Sequence, residues 1–207
     1  MSAPPADDKG PGPGLVNIAN ALTVVRILLV PVFVACLLAG GTGWRLTALA
    51  VFVVASLTDF IDGWIARSRG LVTDFGKIAD PIADKAITGM ALIGLSIIGE
   101  VWWWVTILVL IREWSVTFVR LGVASKVVIA ADTLGKWKTF IQGIALGGLI
   151  LPLTDPDAPH WWRRPGIVLH WLFELGLAAA VVLTLISGYQ FYASIWRQRD
   201  RLRPRRP

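Results

Sequence analysis

Apolar residues occur along the chain in about six long runs, which short polar segments separate. A run of about 20 apolar residues is long enough to cross the hydrocarbon core of a bilayer as an α-helix. The pattern therefore predicts an all-α integral membrane protein with about six transmembrane helices. The predicted spans are Asn20 to Ala39, Arg45 to Arg67, Asp80 to Gly99, Trp102 to Ala124, Leu134 to Leu153 and Gly166 to Trp196.

The two ends of the chain are polar. Residues 1–14 are rich in Pro and Gly and lack the features of a signal peptide, so they are predicted to be a disordered extension. Residues 15–196 form the predicted six-helix domain, and residues 197–207 form a basic tail. The last apolar run is longer than a bilayer requires, and its end is expected to emerge as a helix.

Lys and Arg are unevenly distributed between the two sets of connecting segments. Most of them, including the arginine-rich tail, fall on one side, whereas the other side carries only Arg45, Arg163 and Arg164. The side richer in Lys and Arg is normally cytosolic. Both termini are therefore predicted to be cytosolic, in a multi-pass protein of the cell membrane.

Composition agrees with the membrane class, since 55% of the residues are hydrophobic. The net charge of +6 comes from basic residues at segment ends and in the tail, which suits anionic lipid headgroups better than nucleic acid. The single cysteine, Cys36, lies in an apolar run, which excludes a disulfide framework and a zinc site built on cysteines.

Acidic residues are concentrated between Asp59 and Lys85, which hold five of the 14 in the chain. Asp59 and Asp62 are spaced i, i+3, and Asp80 and Asp84 are spaced i, i+4, so each pair shares one helix face. The predicted topology brings both pairs to a similar depth near the cytosolic side. An isolated carboxylate in hydrocarbon is costly, so the group must bind a cation or face a water-filled cavity.

Four carboxylates without histidine or cysteine are hard oxygen ligands. They suit Mg²⁺, with Mn²⁺ as an alternative, and their charge is sufficient for two ions. Gly63 and Ala66 share a face with Asp59 and leave room for a nucleotide, while Arg67 is able to neutralise a phosphate. For a single member of the group, such as Asp80, a helix cap is an equally good reading.

These residues also carry a family signature. The spacing Asp59-x-x-Asp62-Gly63-x-x-Ala66-Arg67, followed by Gly76, Asp80 and Asp84, resembles the CDP-alcohol phosphotransferases at every fixed position. The resemblance implies that an alcohol hydroxyl attacks a CDP-linked donor and releases CMP. It implies that Asp59, Asp62 and Asp80 bind metal, and that Asp84 binds metal and acts as general base. The donor nucleotide would be held by Gly63, Ala66, Arg67, Thr73 and Gly76.

Segments outside the signature are similar to the phosphatidylglycerophosphate synthases of that family. They are "NIANALTVVRILLVP", "LIREWSVTFVRL" and "LGKWKTFIQ". This similarity implies CDP-diacylglycerol as donor, glycerol 3-phosphate as acceptor, and a homodimer. Basic residues in these segments are candidates for the acceptor phosphate, and two polar residues for the donor phosphates. The former are Arg26, Arg112, Lys136 and Lys138, and the latter are Asn20 and Thr23.

Several alternatives remain open from the sequence. Arg112 is also explained by a structural ion pair with Glu113, and Lys136 and Lys138 by membrane-surface anchoring. Within the family, phosphatidylinositol phosphate synthase and cardiolipin synthase are alternatives, and a membrane prenyltransferase is another enzyme with Asp-rich motifs. A small cation transporter is the alternative outside enzymes, although its acidic residues should extend across the full membrane depth.

Overall fold

The computed structural model describes residues 18–68, 74–123, 133–156 and 159–197. Within these ranges, the side chains at 19, 60, 62–68, 74–78, 80, 120–121, 123 and 133 lie outside the description. Thr73, the predicted extension at 1–14 and tail residues 198–207 also lie outside it. Six further residues with a predicted role have side chains that lie outside the description: Asp62, Gly63, Ala66, Arg67, Gly76 and Asp80.

The described part of the chain is all-helical, as the apolar pattern predicts. Each of the six predicted segments lies largely within one helix. The helices are α1 (Ile18–Ala39), α2 (Thr42–Ser68), α3 (Asp74–Ile97), α4 (Trp103–Val123), α5 (Thr133–Ile150) and α6 (His160–Arg197). By length and composition, Asn20–Ala39 and His160–Arg197 are apolar enough to cross a membrane.

The helices pack around one apolar core. Helix α1 packs against α2 and α3, and α5 packs against α6. The rings of Phe33 and Phe52 meet between α1 and α2 with centroids 5.8 Å apart. Large apolar side chains such as Leu28 and Leu175 are exposed on the outside of the bundle, as expected for surfaces that face lipid.

Helix α3 ends in a Schellman motif. The Gly99 N–H donates to the Ser96 carbonyl over 3.2 Å, and the Glu100 N–H donates to the Leu95 carbonyl over 2.9 Å. Gly99 has φ of +81°, a left-handed conformation that glycine adopts without strain. This tight ending fixes the position of Glu100.

Glu100 forms a polar network with Arg45 and His170, here called the Arg45 network. It connects α2, α5, α6 and the end of α3 at one end of the bundle. Arg45 Nη1 lies 2.7 Å from Glu100 Oε1. Its Nε and Nη2 donate to the carbonyls of Ile150 and Leu149 over 2.9 Å and 2.7 Å, so Arg45 also caps the C-terminus of α5. His170 Nδ1 lies 3.8 Å from Glu100 Oε2, so His170 belongs to the same network.

Candidate active site

The acidic residues lie toward the other end of the same helices. Asp59 follows Arg45 on α2 by 14 residues, which is about 21 Å of helix rise. Asp84 occupies the N-terminal half of α3, the helix that follows the end of α2 in the chain. The side chains of Asp59 and Asp84 are 42% and 35% exposed, so their oxygens remain accessible to a ligand.

Only Asp59 and Asp84 of the four predicted metal ligands have described side chains. Asp62 follows Asp59 by three residues on α2, and Asp80 precedes Asp84 by four residues on α3. Among the described side chains, no three acidic, His or Cys residues come together. Carboxylate oxygens are the ligands that a hard divalent cation prefers, and those of Asp59 and Asp84 are accessible to one.

One buried face of α1 lies against this region. Asn20, Thr23 and Arg26 recur every three residues and are all buried, with Arg26 fully so. The Nη1 atom of Arg26 donates to Asp59 Oδ1 over 2.5 Å. Arg26 was predicted to contact the acceptor phosphate, and its observed position is beside a predicted metal ligand.

A second buried group of charges is centred on Glu113. Its Oε1 accepts from Arg112 Nη1 over 2.8 Å and also from Lys138 Nζ, while its Oε2 accepts from Lys85 Nζ over 2.7 Å. The four residues come from α3, α4 and α5, and we call them the Glu113 cluster. The structural ion pair between Arg112 and Glu113, one of the two readings of Arg112, is therefore present.

Helix α6 holds Arg112 from the opposite side. Arg112 Nη2 donates to Ser187 Oγ over 2.5 Å. A Cβ added at the neighbouring Gly188 would lie 3.1 Å from Arg112 Nε and 3.4 Å from its Cγ. The guanidinium therefore lies across a part of α6 where the absence of a side chain makes room for it.

Lys85 connects the Glu113 cluster to the acidic residues. Its Nζ lies 3.7 Å from Asp84 Oδ2 as well as 2.7 Å from Glu113 Oε2. Neither Lys85 nor Glu113 was among the functional residues predicted from the sequence. The available signal was the presence of each charged residue within a predicted span. Lys136, by contrast, is exposed on α5. It lies on a different face of the helix from Lys138, which follows two residues later and is buried.

Comparison with known proteins agrees with the sequence signature. Residues 16–187 match the family model for CDP-alcohol phosphatidyltransferase. The chain is 44% identical to a probable phosphatidylglycerophosphate synthase of Mycobacterium tuberculosis, over 88% of this chain and 83% of that protein. It is 36% identical to a CDP-diacylglycerol–glycerol-3-phosphate 3-phosphatidyltransferase of Bacillus subtilis, over 87% and 95% of the two chains. A protein of Rickettsia bellii with the same name is 38% identical over 85% and 93%.

Proposed function

The chain belongs to the CDP-alcohol phosphatidyltransferase family and is an enzyme of phospholipid biosynthesis, and we propose that it transfers a phosphatidyl group from CDP-diacylglycerol to glycerol 3-phosphate. The names of the relatives from three bacterial genera support this pair of substrates. The observation on the chain itself that carries the proposal is the 3.7 Å contact between Lys85 and Asp84. It joins a carboxylate suited to proton abstraction to a cluster of cations suited to a phosphorylated acceptor.

In the proposed reaction, a hydroxyl oxygen of glycerol 3-phosphate attacks the phosphorus that carries the diacylglycerol. A new P–O bond forms as the bond from that phosphorus to the bridging oxygen breaks. CMP leaves with the bridging oxygen, and the hydroxyl proton passes to the carboxylate of Asp84. The products are phosphatidylglycerophosphate and CMP. Asp84 is accessible enough to receive an acceptor hydroxyl, which a general base must reach directly.

The family generally uses divalent metals, and we propose two Mg²⁺ ions, or Mn²⁺, held by Asp59, Asp62, Asp80 and Asp84. When bound, such ions polarise the phosphoryl group and neutralise the charge that develops on it. Arg26 is proposed to keep the Asp59 carboxylate in a fixed orientation toward this site, since it contacts one of its oxygens from α1. Arg26 would thereby also lie close to any phosphate at the metals.

The donor nucleotide is proposed to bind along the ends of α2 and α3. The basis is the family signature together with the buried polar face of α1, whose Asn20 and Thr23 are available to donor phosphates. The remaining proposed donor contacts are Gly63, Ala66, Arg67, Thr73 and Gly76.

The acceptor phosphate is proposed to bind at the Glu113 cluster, through Arg112 and Lys138. Guanidinium and ammonium groups are the usual phosphate partners in proteins, and three of them meet within this cluster. Lys136 is proposed to lie at the entrance of this pocket, because its exposed side chain precedes Lys138 by two residues.

For the membrane, we propose six spans with both termini and the active site on the cytosolic side, and a homodimeric assembly. The support for the orientation is the excess of Lys and Arg in the segments on that side. CDP-diacylglycerol would then reach the site from the cytosolic leaflet.

The experiment that tests the function follows CMP release by the purified protein in mixed micelles. The protein would be supplied with Mg²⁺, CDP-diacylglycerol and one acceptor at a time: glycerol 3-phosphate, inositol phosphate or glycerol. We expect release with glycerol 3-phosphate only. Release with inositol phosphate alone would contradict the acceptor and keep the reaction class, and release with none of them would contradict the proposal.

A further inference from the structure

Glu113 has an unusual place among the charged residues of the described chain. It is buried, with 8% of its surface exposed, yet it accepts hydrogen bonds from Lys85, Arg112 and Lys138 at once. Each cation comes from a different helix, and each partner group is also largely buried. A single carboxylate therefore determines where three cationic groups from α3, α4 and α5 meet.

The charges of the Glu113 cluster do not cancel. Three cations and Glu113 leave two positive charges in a largely buried region, and the partly exposed Asp84 carboxylate, 3.7 Å from Lys85, offsets part of this excess. Burying uncompensated charge is costly, and an arrangement of this kind is best stabilised by an anion of matching charge. A phosphate monoester carries a charge of about −1.5 to −2 at neutral pH, which is sufficient to neutralise the excess that remains.

We propose that Glu113 is a positioning residue that holds Lys85, Arg112 and Lys138 together for the acceptor phosphate, and so makes the enzyme selective for a phosphorylated acceptor. The inference rests on the proposed function. Glu113 does not itself bind the phosphate, because two anions repel, and it acts through the three cations. Lys85 also contacts Asp84, so a phosphate held at the cluster keeps the acceptor beside the proposed base.

The test compares Glu113→Gln with the wild-type enzyme in steady-state CMP release. We expect the KM for glycerol 3-phosphate to rise by about tenfold or more, because charge-assisted hydrogen bonds that orient the cations are lost. The KM for CDP-diacylglycerol should change by less than about twofold, since the donor does not use the cluster. Glu113→Asp keeps the charge and should restore part of the acceptor affinity.

Glu100→Gln is the matched control. Glu100 is also a largely buried carboxylate in an ion pair with an arginine, but it belongs to the Arg45 network at the other end of the bundle. Thermal unfolding of both variants in detergent reports any general loss of stability. A rise in acceptor KM for Glu113→Gln but not for Glu100→Gln supports the proposal. An unchanged acceptor KM in Glu113→Gln overturns it, whatever happens to stability.

A second variant keeps the test decisive if Glu113→Gln does not fold. Lys85→Gln removes one cation that Glu113 holds, and it should raise the KM for glycerol 3-phosphate with little change for the donor. If Lys85→Gln folds and leaves that KM unchanged, the proposal is wrong. The proposed function would be wrong if the wild-type enzyme released no CMP with glycerol 3-phosphate. The role of Glu113 would be wrong if the wild-type enzyme did so and the variants kept its KM for that acceptor.

Discussion

The guanidinium of Arg26 on α1 contacts the carboxylate of Asp59 on α2, with 2.5 Å between Nη1 and Oδ1. Arg26 is fully buried, whereas 42% of the Asp59 side chain is exposed. The arginine therefore approaches the carboxylate from the protein side and leaves its other side accessible. This geometry fits a residue that orients a proposed metal ligand without covering it.

Replacing Arg26 with Gln should lower kcat for CMP release by about tenfold or more at saturating Mg²⁺, because Asp59 loses a charge-assisted hydrogen bond that fixes its rotamer. Arg26→Lys keeps the charge but loses the planar donor arrangement and should give an intermediate rate. The measurement is CMP release over a range of Mg²⁺ concentrations. A wild-type rate in Arg26→Gln at every Mg²⁺ concentration would show that this contact is not needed for catalysis.

Asp84→Asn tests the proposed base. The substitution keeps the size of the side chain but removes its ability to accept the hydroxyl proton, and loss of a general base typically costs about 10²- to 10⁴-fold in rate. Binding of CDP-diacylglycerol in the presence of Mg²⁺, measured separately at equilibrium, should be largely kept. Asp155→Asn is the control, because Asp155 accepts from Thr42 near the Arg45 end of α2. Near-normal turnover in Asp84→Asn would exclude Asp84 as the base.

The space above Gly188 provides a test of Arg112 that leaves Arg112 itself unchanged. In Gly188→Ala the new Cβ would lie 3.1 Å from Arg112 Nε, which is too close unless the guanidinium moves. We expect the KM for glycerol 3-phosphate to rise by about threefold to tenfold, which corresponds to a loss of at most about 1.4 kcal/mol of binding free energy. The KM for CDP-diacylglycerol should change little.

Gly176→Ala is the matched control on the same helix. Its added Cβ would lie 3.5 Å from the Ala145 side chain, an ordinary van der Waals distance. Its kinetic constants should therefore stay at wild-type values. Equal acceptor KM values in the two glycine variants would contradict a role for the position of Arg112.

The helices were predictable from the sequence because each contains a long apolar run, and each of the six runs lies largely within one helix. The residues at which the helices begin and end were less predictable. Helix α6 begins at His160 and not near Gly166, and α3 begins at Asp74 and not at Asp80. Charged or polar residues at these ends interrupt the apolar pattern that identifies a span, but they do not interrupt backbone hydrogen bonding, so the helix continues through them.

The candidate site was only partly predictable for a different reason. Helix periodicity is local, and it relates only residues of one helix, such as Asp80 and Asp84 of α3. The Glu113 cluster depends on how α3, α4 and α5 pack, which no spacing within one helix contains. Arg112 and Lys138, two of the four residues predicted for the acceptor phosphate, both contact Glu113. Lys85 was not predicted, because only tertiary packing brings it to Glu113.

We expect the Arg45 network to contribute to the stability of the fold and not to substrate binding. Arg45→Met removes the partner of Glu100 and three hydrogen bonds or ion contacts that join α2 to α5 and to the end of α3. Breaking a buried ion pair by removing one partner typically costs about 3 to 5 kcal/mol, and the remaining 16% exposure of Arg45 should bring the loss to the lower end of that range.

Thermal unfolding in detergent should therefore show a clear decrease in Tm for Arg45→Met. The KM values for both substrates should stay unchanged at a temperature where the variant is folded, because Arg45 and Asp59 are separated by about 21 Å of helix rise. Arg45→Met combined with Glu100→Leu should recover part of the Tm, since no unpaired carboxylate remains buried. A change in acceptor KM without a change in Tm would mean that this end of the bundle is coupled to the active site and is not only structural.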